Sequence, residues 1–373
     1  MRFTCSQQIL SKALNTVSKA VTTRTTLPIL KGILLETTSN NQLKLSASDL
    51  DLSIEKTISV DVSEPGALVV SARLFSDIIR KLPNETIEVE QLENNQIRIH
   101  CMASEFTIVG LPAEEFPNIG TVMEDQALLI EKDLLKDMIK KTSFAASIDE
   151  SKGIIVGVLI DLSVDKMTMV ALDGFRMAVT REKMENEQER KLVIAARILN
   201  EINKIIIDSE KSEKEESISL ILDDKKAVIT MEDTRIILRL LEGEFIKYND
   251  ILPKNYNCRV LLNKNEFLES IERASLLAKE GKNNLVKFSI EGESMEITSR
   301  SEEGTVRETV MIEKLGDNLE IGFNSKYVLD VLKVVTDERI ILQFNSSISP
   351  CLIKPVEGDA FEYLVLPVRI ANN

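Results

Sequence analysis

The stretch Val70-Ser71-Ala72-Arg73-Leu74-Phe75-Ser76-Asp77-Ile78-Ile79-Arg80 occurs three times in varied form. Its second copy is Ile194-Ala195-Ala196-Arg197-Ile198-Leu199-Asn200-Glu201-Ile202-Asn203-Lys204, and its third is Phe323-Asn324-Ser325-Lys326-Tyr327-Val328-Leu329-Asp330-Val331-Leu332-Lys333. Each copy holds a small residue, a base, two or three apolar positions, an acid four residues after the base and a second base seven after it. Positions k, k+4 and k+7 share one face of an α-helix, so each copy is predicted as an amphipathic helix with a base-acid-base polar side. The copies lie 124 and 129 residues apart, too far for a short solenoid repeat and suited to a domain of ordinary size. The chain reads as one domain present three times.

The first helices of the three thirds align as well: Ile9-Leu10, Leu134-Leu135 and Phe267-Leu268 begin their apolar faces, continued by Ala13, Met138 and Ile271. In the first third, alternation of period two predicts half-buried strands at 32–37, 42–47 and 52–60, with Asn40-Asn41 as a hairpin turn. After Glu64-Pro65-Gly66 come another strand, the opening helix and strands at 86–91, 96–102 and 105–111, with Asn94-Asn95 as a turn. One third therefore reads β-α-β-β-β twice, and the order recurs from Ala127 and from Arg259. Single helices at fixed places among strands predict an α+β fold with sheets in one layer and helices in the other. Boundaries near Met123-Glu124-Asp125 and Leu252-Pro253-Lys254 give domains 1–123, 126–252 and 254–373. The charged runs at 181–191 and 209–217 read as solvated loops.

The 373 residues are 43% hydrophobic, ample for buried cores. A net charge of −14 argues, taken as a total, against a nucleic-acid partner. The six proposed helices nevertheless carry a net positive charge, so the rest is more acidic than the whole. Cys5, Cys101, Cys258 and Cys351 show no paired spacing for zinc or redox work, and a reducing cytoplasm is expected. Neither a signal peptide nor an apolar run of the ~20 residues a membrane span needs is found. The absence of tryptophan and an aromatic content of 4% disfavour base-stacking platforms.

Catalytic constellations are sparse. The single histidine, His100, sits in an alternating segment and reads as a structural or edge residue, which removes Ser-His-Asp and Cys-His arrangements. Gly281-Lys282 lacks the earlier glycine of a phosphate-cradling loop. Asp49 and Asp51, expected on one strand face, are candidates for magnesium, and with Asp173 they are the residues a metal-dependent nuclease or phosphatase would use. Nothing near them completes an octahedral set, so no metal and no cofactor is expected.

Leu27-Pro28-Ile29-Leu30, Asp173-Gly174-Phe175-Arg176-Met177, Leu252-Pro253-Lys254, Ile321-Gly322-Phe323-Asn324 with the helix after it, and Leu366-Pro367-Val368-Arg369 resemble, in order and over the whole chain, the bacterial DNA polymerase III beta subunit family of replicative sliding clamps. The resemblance implies a non-catalytic processivity factor: a head-to-tail homodimeric ring with helices lining the hole and sheets outside. Its expected partners are double-stranded DNA without sequence preference, the replicative polymerase alpha subunit, an ATP-using clamp loader, and other polymerases and repair proteins. It also implies that Arg24, Arg73 and Arg197 approach the duplex. Helix face alone adds Lys12, Lys136, Lys140, Lys204 and Lys333, although Lys12 with Lys19 also fits a solvated face. Helices of ~12–18 residues, ~18–27 Å long, would bridge phosphate ridges across a groove ~12 Å wide without reading bases. Asp77, Glu201 and Asp330 are expected to pair along the helix with Arg80, Lys204 and Lys333, holding phosphate attraction down.

By the same resemblance a peptide groove lies between the second and third domains, formed by Ile155, Leu172, Gly174, Phe175, Arg176, Met177, Ile246, Ile251, Asn324, Tyr327, Ile348, Leu364, Val365, Leu366, Pro367, Val368 and Arg369. Leu172, Ile251 and Leu366 would serve equally as core. The family pattern is departed from at Leu172, Phe175, Ile246 and Asp250, and by the extension Ala371-Asn372-Asn373, which bears on peptide preference. Phe106 and Ile108, on one face of an expected edge strand, are taken to meet Leu276 and Leu277 across the subunit boundary; both pairs are also compatible with core. A protein-only scaffold binding by strand addition is the competing reading.

Overall fold

Every α-helix starts where a strand ends, in a computed structural model that describes residues 1–120, 127–186, 189–209 and 217–370. The helices are α1 (Gln7–Val17), α2 (Ala72–Lys81), α3 (Lys132–Thr142), α4 (Ala196–Ser209), α5 (Lys264–Ala278) and α6 (Ser325–Leu332). Short polar side chains at the joints satisfy the first free N–H groups. Asn263 Oδ1 accepts from the Asn265 and Glu266 N–H groups at 2.9 and 3.1 Å, and Asn324 Oδ1 accepts from Lys326 at 3.0 Å. The helices have 8 to 15 residues, shorter than expected because each stops once its apolar face is spent. On α2 that face is Ala72, Phe75, Ile78 and Ile79, all buried, and burying Phe75 alone stabilises by about 1.5–3 kcal/mol. The six helices hold 13 basic and 9 acidic residues, a net of +4 in a chain of −14.

The opening strand of each half-repeat joins the sheet of the other half, always antiparallel. Arg2–Ser6 pairs with Thr86–Gln91, and Ala67–Ser71 pairs with Gly32–Thr38. The second repeat does the same with Leu128–Glu131 on Ser217–Leu222 and Arg190–Ala195 on Gly157–Ser163. In the third, Cys258–Asn263 lies on Arg339–Phe344, and Leu319–Asn324 on Leu285–Glu291. Gly32 and Gly157 begin matching strands, and a Cβ there would meet Val69 Cγ1 at 2.4 Å or Val193 Cγ1 at 2.5 Å. The exchange brings backbones too close for any side chain at those two points.

Each half ends in a third strand, and these strands join repeats. Leu52–Ser59 of the first repeat pairs with Thr234–Arg239 of the second, Ile54 opposite Ile236, completing an eight-stranded sheet. Arg176–Lys183 of the second pairs with Phe361–Val365 of the third, Ala178 opposite Tyr363, within a nine-stranded sheet. Ser104–Val109 and Gly304–Met311 end the five- and four-stranded sheets, with no strand beyond them among the described residues. The chain forms two compact units, Met1–Asp133 with Lys204–Leu240, and Leu134–Asn203 with Leu241–Asn373. Each of the four sheets lies within one unit.

Several local expectations change. The strand expected at 52–60 ends at Ser59, and Asp61–Glu64 then pairs with Arg2–Ser6 in a different sheet. Asn94 and Asn95 both take left-handed φ, 56° and 57°, as a two-residue hairpin turn requires. Asp49 and Asp51 lie in the turn after Gln42–Ser48 and not on a strand face. There Asp49 Oδ1 accepts from the Asp51 and Leu52 N–H groups at 3.0 and 2.7 Å. His100 is exposed on an interior strand, Gln96–Cys101, not at an edge. All four cysteines are buried free thiols, and burial pushes Cys5 up to about 12. The boundary at 123–125, the extension 371–373, and positions 187–188 and 210–216 of the charged runs lie outside the described residues.

Candidate functional site

In the second unit the segment Asp173-Gly174-Phe175-Arg176 makes a tight turn into the strand Arg176–Lys183. Asp173 Oδ1 accepts from the Phe175 and Arg176 N–H groups at 2.8 and 3.0 Å, and Gly174 takes φ 92°. The turn pushes Phe175 outward, where it is 57% exposed and stacks on Tyr327 with ring centroids 6.1 Å apart. It turns Arg176 inward. The Arg176 guanidinium donates to Asp173 Oδ2 at 3.0 Å and to Asp330 Oδ2 at 2.5 Å, and lies over the rings of Tyr327 at 4.8 Å and Phe144 at 5.3 Å. Two carboxylates and two ring faces hold this cation rigidly.

Leu172, Met177, Leu364 and Leu352 stand opposite one another on successive strands. Leu172, Met177 and Leu364 belong to a buried cluster against which Ile154, Ile155, Phe245, Tyr248 and Leu252 pack. These are floor, as is Val365, which is 1% exposed. The exposed members are Phe175, Ile246 at 40%, Ile251 at 41%, Ile348 at 76% and Leu366 at 36%, with Gly174 and Arg369 also exposed. Asn324, Tyr327, Pro367 and Val368 are half-buried. The tail is pinned by Leu366 N–H donating to Phe175 C=O and Val368 N–H donating to Gly322 C=O, both at 2.8 Å. Beneath, burial pushes the Tyr363 hydroxyl well up from its ordinary range. Neither Phe144 nor Asp330 is marked by the sequence as a support of Arg176. Asp330 was expected to pair with Lys333, which instead lies 3.9 Å from Glu272.

In the first unit Lys12, Arg73 and Arg80 line one cleft of about 570 Å³ across α1 and α2. Asp77 accepts from Arg80 at 2.5 Å, the pairing expected along the helix. Lys19 is tied to Asp208 at 3.0 Å, and Arg24 is exposed. In the second unit Lys140, Arg197 and Lys333 are exposed and Lys136 half-buried; Lys204, on α4, is exposed. Among the described residues no group of three or more His, Cys, Asp or Glu is placed to hold a metal ion.

Models of the N-terminal, central and C-terminal domains of the DNA polymerase III beta subunit match residues 1–120, 129–247 and 249–369. The chain belongs to the DNA polymerase III beta subunit family. The Beta sliding clamp of Staphylococcus epidermidis is 35% identical over 99% of both chains, and that of Bacillus subtilis is 34% identical over 99% of this chain and all of the other. A crystal structure of the Bacillus subtilis DNA polymerase sliding clamp, 33% identical, superposes over the full length of both chains with a TM-score of 0.94. So does that of a putative beta subunit from Eubacterium rectale, 34% identical, over 99% of this chain and all of that one. The fold is the family's three-domain α+β clamp fold, and a clamp is a processivity factor, not a catalytic subunit. No helix among the described residues is long and apolar enough to cross a membrane.

Two further features of this clamp concern the edges. Phe106 is 41% exposed on Ser104–Val109, whereas Ile108 on the same strand is 9% exposed and belongs to the core of its sheet. Leu276, at the end of α5, is 66% exposed, and Leu277 is half-buried. The helix α5 packs on the sheet that ends in Gly304–Met311. Arg273 donates to both Glu308 oxygens at 3.0 and 2.7 Å, which holds the Glu308 carboxyl below its usual range.

Proposed function

We propose that two copies of this chain close head to tail into a ring around duplex DNA, and that the groove of the second unit docks peptide segments of the replicative polymerase alpha subunit, the clamp loader and repair proteins. One observation carries the ring. At both internal junctions the third strand of a repeat's first half pairs antiparallel with the third strand of the next repeat's second half. Only Gly304–Met311 and Ser104–Val109 are left over, and they are the next pair in that series. No described strand lies beyond either, a second copy would supply both partners, and unlike faces meeting this way close into a ring or run on as a filament. Membership in the clamp family favours the ring. Phe106 and Leu276 are then interface residues, and Ile108 supports the edge from within.

The lining reading rests on charge. Helices with a net +4 in a chain of −14 attract phosphate without contacting bases. Arg24, Arg73, Arg197, Lys12, Lys136, Lys140, Lys204 and Lys333 supply that attraction, and pairs such as Asp77 with Arg80 keep it weak enough to slide. The domains proposed are 1–123, 126–252 and 254–373, and the site of action is the cytoplasmic nucleoid. The experiment is topological. Protein loaded on a circular template should leave when the circle is linearised and stay when the ends are blocked. Equal retention on open-ended and blocked linear DNA would mean that affinity, not enclosure, holds it.

A further inference from the structure

The two internal junctions are built alike, and only one has been given a ligand. In the first unit Asp49 Oδ1 caps the turn before Leu52–Ser59 through the Asp51 and Leu52 N–H groups, as Asp173 Oδ1 does before Arg176–Lys183. Leu50 at φ 78° holds the left-handed position that Gly174 holds at φ 92°. Arg239 N–H donates to Asp51 C=O at 2.8 Å, the counterpart of Leu366 N–H on Phe175 C=O at 2.8 Å. The segments that follow also correspond, Glu115-Phe116-Pro117-Asn118-Ile119 with Glu244-Phe245-Ile246-Lys247-Tyr248.

The first unit therefore has its own cleft at this junction, of about 280 Å³, with Leu50, Ile119 and Leu238 as apolar lining and Lys225, Lys226 and Arg239 as basic lining. Leu50 is 59% exposed despite a strained backbone, with its side chain left at the cleft instead of in a core. The electrical contrast with the other groove is sharp. There Arg176 is consumed by Asp173 and Asp330, which leaves Arg369 as the exposed base among the groove residues named above. Here Lys225, Lys226 and Arg239 are exposed and form no ion pair with any described residue, and Asp51 is the one carboxylate in the lining among the described residues.

We propose that this cleft is a second docking site, for a short peptide segment that carries an apolar anchor flanked by carboxylates. Charge complementarity selects the flanks, and Leu50 with Ile119 receives the anchor. Among the described residues no aromatic ring lines the cleft, so unstacked bases find no platform there, which favours peptide over single-stranded nucleic acid. The inference stands on this unit's own residues and does not require the other groove to bind anything.

The test uses the full chain with Tyr327→Ala, which disables the other groove, and fluorescein-labelled heptapeptides DDLLFED and KKLLFKK read by anisotropy. DDLLFED should bind, and raising salt should weaken it. Combining Lys225→Glu, Lys226→Glu and Arg239→Glu should cost about tenfold or more in affinity, since three rim charges are reversed. The same variant should gain affinity for KKLLFKK, which a misfolded protein would not do. Leu50→Asn, which keeps the left-handed turn while removing the anchor contact, should also weaken DDLLFED. Unchanged binding in the charge-reversed variant overturns the proposal, as does displacement of DDLLFED by oligodeoxythymidylate at lower concentration than by unlabelled peptide, which would make the cleft a nucleic-acid surface.

Discussion

The second helix of the first repeat and that of the third carry one charge pattern and put it to opposite uses. On α2, Asp77 bonds Arg80 on the same helix, and both side chains stay near half exposed or more. On α6, Asp330 leaves its own helix to hold Arg176, while Lys333 turns toward Glu272. What differs is the neighbour. The polar side of α2 lines an open cleft with Lys12, whereas α6 lies against the segment that enters Arg176–Lys183. A base-acid-base helix can thus keep its acid on its own base or spend it on an arginine of a neighbouring segment. The packing partner decides which.

The largest effect expected from this contrast comes from removing the two arginines in turn. Arg176→Met leaves the largely buried Asp173 and the partly exposed Asp330 without the cation they share. It should destabilise the protein by about 3–5 kcal/mol and abolish binding of a polymerase-derived peptide. Arg80→Met should cost no more than about 1 kcal/mol, as exposed pairs do. Denaturant unfolding of both variants measures the difference, and equal losses would erase the distinction drawn between the helices. A smaller effect, on DNA and not on stability, is expected from Arg24→Gln, Arg73→Gln and Arg197→Gln combined. If each meets one phosphate, the slope of log retention against log salt should flatten by about 2.7 while the oligomeric state stays that of the unsubstituted protein. An unchanged slope would remove these three residues from the lining.

How legible this was in the sequence depends on range. The helices and the hairpin at Asn94-Asn95 follow from patterns a few residues long, which neighbours in sequence settle, and the threefold order follows from one such pattern recurring at 124 and 129 residues. The exchange of opening strands and the pairing of Leu52–Ser59 with Thr234–Arg239 depend on partners far along the chain, which no local pattern specifies. The groove shows the same division. Tyr327 and the Asp173 turn were legible through resemblance. The capture of Asp330 by Arg176 was not, because helical spacing offered Lys333 as a nearer partner. Leu172, Ile251 and Leu366 read equally as groove or core, and the structure divides them: Leu172 is buried in a core cluster, while Ile251 and Leu366 are exposed. Phe144 gave no signal, since an aromatic under a guanidinium looks like any other apolar residue in sequence.

The finest test is the paired substitution of the two acids. Asp77→Asn removes the carboxylate that occupies Arg80, so that guanidinium is released toward the cleft it shares with Lys12 and Arg73. DNA retention should rise modestly, with the salt slope steepening by about 0.9 for one added phosphate contact, and sliding should slow. Asp330→Asn should leave DNA retention where it was, because the cation it releases is Arg176, held beside Asp173 and over two rings. Its effect should fall on peptide affinity. If Asp330→Asn also raised retention on DNA, the released Arg176 would be reaching phosphate as Arg80 is expected to, and the contrast between the acids of α2 and α6 would be gone.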